Sequence, residues 1–164
     1  MSRSLDDLTT RFRPMAVQLI AYIVEDGIAA MIVDTLRTEA EHLANLKAGT
    51  SGTALSKHLP LRLRWPGGTL PADLVPNDRD RSDAIDLAPF EQYQLHGPDK
   101  LKWDATDPVW LRMGEIGERL GLRWGGRWEK PRDPGHFEWF DHDDPARVKL
   151  VADERARPYP ARQV

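Results

Sequence analysis

The stretch LRWGGRWEKPRDPGHFEWF, Leu122 to Phe140, holds two aromatic-rich segments, Leu122 to Trp128 and His136 to Phe140, parted by the turn-rich Pro131 to Gly135. Such runs, bounded by Gly and Pro, read as a hairpin-like pair of strands. Immediately upstream, Asp107-Pro108 offers an N-cap and an N1 proline. They precede a helix carrying Val109, Trp110, Met113, Ile116, Gly117 and Leu120, which Gly121 stops. Ala84 to Leu87 is a short strand candidate. Between Gly49 and Arg81 lies loop composition, rich in Gly and Pro and then polar. A connection of that length is uncommon unless functional or disordered.

Further toward the N-terminus, Thr38 and Glu41 have capping-box spacing ahead of Leu43, Ala44 and Leu46, predicting a short helix closed by Gly49. Ile28 to Leu36 is a short apolar run that reads as a buried strand, which places Arg37 at a strand-to-helix junction. Leu8, Phe12, Met15, Ala16, Leu19, Ile20 and Ile23 recur at helical spacing and predict an amphipathic helix over 8–24 that ends at Gly27. Past the hairpin, apolar periodicity fades from Asp143 onward. This divides the chain into a folded unit, 1–142, and a flexible or loosely docked tail, 143–164.

Composition narrows the chemistry. The 164 residues suit one domain, and a formal charge of −3 argues against nucleic acid as the main partner. Cysteine is absent, so thiolate nucleophiles, disulfides and Cys-based zinc sites are excluded, and any metal must be held by His, Asp or Glu. The polar, acidic start does not read as a signal peptide. The best apolar run, Met15 to Val33, is broken by Glu25, Asp26 and Gly27, so no stable membrane insertion is expected.

Of five histidines, His42 sits in a predicted helix with nothing chemical beside it, and His96 and His142 lie in turn-like or acidic surroundings. His58 and His136 have more informative neighbours: Ser56-Lys57-His58, then Ala84-Ile85-Asp86-Leu87, then Asp133-Pro134-Gly135-His136-Phe137-Glu138. Two imidazoles and a carboxylate make a three-ligand zinc site with its fourth position open to water. A second carboxylate able to take that water's proton completes a hydrolytic centre, and Asp133 is the candidate.

The order Arg37, Ser56-x-His58, Ala84-x-Asp86-Leu87, Trp124-Gly125-Gly126-Arg127-Trp128 and Asp133-x-x-His136-Phe137-Glu138 resembles the zinc D-alanyl-D-alanine carboxypeptidase and L-alanyl-D-glutamate peptidase family, VanY-like and closest to its phage endolysins. The resemblance spans roughly Leu8 to Phe140. It implies zinc ligands His58, Asp86 and His136, and Asp133 as general acid/base. Ser56 would orient the site, Arg37 would grip a substrate carboxylate or carbonyl, and Trp124 and Trp128 would lie along the cleft. For both Trp side chains core packing is an equal alternative. The family's compact His-x-x-Gly-x-Ala-x-Asp is opened here by Leu59 to Asp83, which leaves Asp73 as a rival third ligand and Asp83 as a weaker one.

The resemblance further implies an α+β fold, a small antiparallel sheet with flanking helices, Hedgehog/DD-peptidase-like, with which the helices and strands above agree. It implies a zinc peptidase acting on peptidoglycan stem peptides, at the L-alanyl-D-glutamate bond or, alternatively, at a D-alanyl-D-alanine or cross-bridge bond. A different class of reading is a catalytically silent zinc-containing structural or wall-recognition module of a phage particle. As an endolysin the chain would be made in the host cytoplasm and would reach the wall through a permeabilising partner such as a holin.

Overall fold

The computed structural model describes residues 1–91 and 100–159. His96 lies outside them. Helix α1 is Arg13–Glu25, strand β1 Ala30–Asp34, helix α2 Glu39–Lys47, helix α3 Leu61–Arg64 and strand β2 Ala84–Pro89. Then follow helix α4, Pro108–Arg119, strands β3, Arg123–Trp124, and β4, His136–Glu138, and helix α5, Pro145–Arg155. The strands form one sheet in the order β1-β2-β4-β3 with every neighbour antiparallel, the α+β architecture expected.

Local signals explain most element boundaries. Helix α2 has the full capping box, with the Thr38 hydroxyl accepting from the Glu41 backbone N–H and the Glu41 carboxylate accepting from that of Thr38. Asp107 caps α4 by accepting from the Val109 N–H at 2.9 Å. Helix α1 starts later than its apolar spacing predicts, because Pro14 sits in its first turn and residues 5–7 form a separate 3₁₀ turn. The first hairpin strand shortens to two residues and passes into a 3₁₀ turn, Gly125–Arg127.

The sheet has two unlike faces because side chains alternate along each strand. Ile85 and Leu87 of β2, Trp124 of β3 and Phe137 of β4 point into the core, where they meet Leu19 and Ile23 of α1 and Trp110, Met113 and Ile116 of α4. Helix α4 approaches closely because two of its residues are glycines. A Cβ at Gly114 would lie 2.3 Å from the Trp124 ring, and one at Gly117 would lie 2.6 Å from Phe137. On the opposite face the register sets Asp34 beside Asp86, Asp86 beside His136, and Arg123 beside Glu138. A row of polar side chains thus spans all four strands.

The insertion between His58 and β2 is structured. It contains α3 and a 3₁₀ turn, Pro76–Asp80; it is closed by Leu61 N–H donating to the Arg81 carbonyl and tied to the chain's start by Thr9 N–H donating to that of Ser82, both at 2.9 Å. At its end Asp83, fully buried, accepts hydrogen bonds from the Thr9 hydroxyl, from Arg11 at 2.7 Å and from Arg64 at 3.0 Å. The tail also departs from expectation. Residues 145–155 are the helix α5, capped by Asp144, whose carboxylate accepts from the Ala146 N–H at 2.9 Å. Its buried side chains are Val151 and Glu154, so a charged contact takes the place of an apolar stripe.

Burial alone would raise the Asp83 pKa, but Arg11 and Arg64 outweigh it and hold the carboxyl below its ordinary value. A depressed folded-state pKa means that the contribution is complete above about pH 5 and is withdrawn as pH falls through the folded value. Asp83→Asn removes the buried anion that Arg11 and Arg64 share, leaving Arg11 only more distant carboxylates such as Asp73, and the expected loss is about 3–5 kcal/mol of unfolding free energy at pH 7. Urea denaturation should show this loss shrinking toward pH 2; a loss independent of pH would contradict the ionic assignment.

Candidate metal centre

Three chain segments converge on the polar face of the sheet. Asp86 and His136 are direct cross-strand neighbours on β2 and β4. His58 arrives from the loop ahead of α3, fixed by its carbonyl accepting from the Arg37 N–H at 2.9 Å and by its N–H donating to the Ser56 hydroxyl at 3.3 Å. The result is a triangle: His58 Nε2 to Asp86 Oδ1 2.9 Å, His136 Nδ1 to Asp86 Oδ1 3.0 Å, and His58 Nε2 to His136 Nδ1 3.2 Å.

The outer nitrogen of each imidazole is occupied. His58 Nδ1 lies 2.9 Å from the Thr35 carbonyl oxygen, which can only accept, so that nitrogen carries the proton and Nε2 presents a lone pair. His136 Nε2 lies 3.0 Å from Glu138 Oε2, which directs Nδ1 at Asp86 in the same way. Three acceptor atoms facing one another at these distances require positive charge between them. They also have the right spacing for a metal, since ligand atoms around a tetrahedral ion with bonds of about 2.0–2.1 Å stand about 3.3 Å apart. Among the described residues His58, Asp86 and His136 are therefore the group able to hold one.

The electrostatics agree. Burial would lower the His136 pKa, but Asp86 and Glu138 outweigh it and push it up to about 10. For Asp86 and Glu138 burial acts to raise the pKa, yet the facing imidazoles hold both carboxyls well below the usual range. A cation-demanding pocket behaves this way, with a proton on imidazole answering the same demand that an ion would.

The cluster opens into a cavity of about 640 Å³ whose wall includes Arg37, Ser56, Asp133 and Trp128. Asp133, half-buried, is carried on the turn between β3 and β4 and is pinned by its N–H donating to the Gly125 carbonyl at 3.0 Å. Gly125 permits that approach, since a Cβ there would lie 2.5 Å from the Asp133 carbonyl oxygen. Burial first, and then the charge of Asp86, raise the Asp133 pKa. Arg37 grips Asp34 through Nε at 2.9 Å and Nη2 at 2.6 Å, and it faces Asp86 Oδ2 at 3.5 Å. Trp128 packs against His136 with ring centroids 4.9 Å apart.

The other candidates lie apart from the cluster. Trp124 is 1 % exposed and belongs to the core, its indole N–H donating to the Pro134 carbonyl at 2.8 Å, so it does not face the cleft. Asp73 pairs with Arg11 at 3.5 Å, away from the cluster, and Asp83 faces Arg11 and Arg64. Neither rival reaches the imidazoles. Glu138 was not singled out by sequence reasoning, although its place two residues after His136 on a strand puts both side chains on one face.

Residues 81–139 match the protein family described as D-alanyl-D-alanine carboxypeptidase. That span contains Asp86, Asp133 and His136 and begins after Arg37 and His58. The crystal structure of the Serratia marcescens L-Ala D-Glu endopeptidase ChiX is similar to this chain, with a TM-score of 0.50 and 18% identity over 84% of this chain and 86% of that one, so the two share a fold. No curated protein matches the chain. The match over residues 81–139 agrees with the resemblance to the D-alanyl-D-alanine carboxypeptidases that the motifs carry, and the shared fold agrees with the α+β architecture it implies.

Ion binding to the folded state alone should raise stability by about 2.7 kcal/mol when free Zn²⁺ is a hundredfold above its dissociation constant. Thermal unfolding with and without the ion measures this. His58→Ala or His136→Ala should abolish the shift, and a shift that survives both substitutions would place the ion elsewhere.

Proposed function

We propose that this chain is a zinc peptidase that hydrolyses a stem-peptide amide of peptidoglycan, the L-alanyl-D-glutamate bond, with zinc held by His58, Asp86 and His136. The observation that carries the reading is the triangle of three donor atoms 2.9–3.2 Å apart, each imidazole oriented by an acceptor on its far side, with a half-buried carboxylate in the same cavity. A bound zinc supplies Lewis acidity that polarises the scissile carbonyl and makes water nucleophilic near neutral pH.

The chain's own residues do the rest. Asp133 takes a proton from the attacking water at its carboxylate and returns one to the leaving amine, a role suited to a carboxyl whose pKa is raised by burial and by Asp86. Arg37, held by Asp34 at the cavity wall, receives a carboxylate or carbonyl of the stem peptide, for which a planar guanidinium is suited. Ser56 fixes the backbone of His58. Trp128 keeps the His136 ring in place on one side and offers a wall to peptide or sugar on the other.

In this reading the protein acts as an endolysin of a phage, made in the host cytoplasm and released to the wall by a holin-like partner. No described helix is long and apolar enough to cross a membrane. The choice of L-alanyl-D-glutamate draws on the ChiX likeness and on the motif resemblance together.

Asp133→Ala should keep one equivalent of zinc by elemental analysis while the release of free amino groups from purified cell walls falls by about 10²–10⁴-fold. Undiminished hydrolysis would remove Asp133 from its role. Mass analysis of the fragments released by the unaltered protein should show new L-alanine carboxyl and D-glutamate amino ends; other ends would reassign the bond.

A further inference from the structure

We propose that Glu138 is the positioning residue for His136 and that helix α5 holds Glu138 in place, making the C-terminal helix part of the metal centre. This rests on the zinc site proposed above. His136 offers Nδ1 to the cluster, so its ring angle is set by whatever holds Nε2, and that partner is Glu138 Oε2 at 3.0 Å. Both side chains project from the same face of β4, where an i, i+2 pair stays adjacent without help from the rest of the fold.

Glu138 is itself held. It is 4 % exposed, and its other oxygen, Oε1, accepts from Arg123 Nη1 at 2.9 Å and from Arg147 Nη2 at 3.2 Å. Arg123 turns its remaining edge to Glu154, with Nε to Oε2 at 2.9 Å and Nη2 to Oε1 at 2.7 Å. This is a two-pronged guanidinium–carboxylate pair, the geometry in which such bonds are strongest and most directional. Arg147 and Glu154 both belong to α5, so one helix contributes a direct cation to Glu138 and the anion that orients its other cation. A second path reaches the same imidazole: the Arg123 guanidinium lies 4.7 Å from the centre of the Trp128 ring, which packs on His136. The residues of α5 lie beyond the segment that matches the carboxypeptidase family.

A salt-bridge network serving only stability would move unfolding without moving metal affinity, and the two are separable. Zinc dissociation constants of the full chain, measured by competition with a chromophoric chelator, should weaken by about 10–100-fold in Glu138→Gln and by at least about threefold in Glu154→Gln. Asp153→Asn, on the exposed side of α5, should change nothing. With Co²⁺ in place of zinc, the visible d–d bands should shift in Glu138→Gln as the ring turns. Should Glu138→Gln fail to fold, Glu154→Gln, which does not touch His136, decides the matter. Zinc held by both variants within about twofold of the unaltered chain, with unchanged Co²⁺ bands, would overturn the proposal. A loss in Glu138→Gln alone would overturn the part assigned to α5. An unaltered chain that takes up no zinc would overturn the proposed function, and this inference with it.

Discussion

Two imidazole nitrogens and one carboxylate oxygen, each an acceptor aimed at the other two, meet within 3.2 Å on the polar face of a four-stranded sheet. Such a meeting is unfavourable without positive charge at its centre, so the surrounding fold must both force the approach and supply the means to neutralise it. The approach is forced by register: Asp86 and His136 are cross-strand neighbours, and the loop carrying His58 is tied to β1 through Thr35 and Arg37. Helices α1 and α4 pack the sheet's other face and keep that register from slipping, because a one-residue shift would turn Ile85, Leu87 and Phe137 out of the core.

The same alternation distributes roles among residues that look alike in sequence. Trp124 and Trp128 belong to one motif, yet the strand sends Trp124 into the core beneath Gly114, and the following turn carries Trp128 round to the cavity. Asp83 and Asp86 lie three positions apart in sequence, but one is buried between two arginines and the other faces two imidazoles. Within β4, Phe137 anchors the core while His136 and Glu138 face the site. The insertion between His58 and β2 supplies Arg64 and Asp83, and among the described residues none of its positions from Leu59 to Asp83 lines the cavity.

Much of this was legible in the chain. The capping box at Thr38 and the Asp-Pro start of α4 fixed those helices through local hydrogen bonding, which sequence reports directly. The trio His58, Asp86 and His136 was legible through motif resemblance, since the long insertion hides any spacing signal. Helix α5 was missed because its docking depends on Glu154 and Arg147 more than on apolar periodicity. Asp144-Pro145, the same start signal as Asp107-Pro108, was there to be read. Glu138 was missed although strand alternation alone sets it beside His136. Its importance comes from partners on distant segments, Arg123 and Arg147, that no local pattern links.

The proposed function requires one metal ion among three side-chain atoms, His58 Nε2, Asp86 Oδ1 and His136 Nδ1. Crystals grown with zinc and measured on both sides of its absorption edge should show a single strong anomalous peak about 2 Å from His58 Nε2, Asp86 Oδ1 and His136 Nδ1. An empty triangle in zinc-containing crystals, or a peak bound by other residues alone, would rule out this metal site.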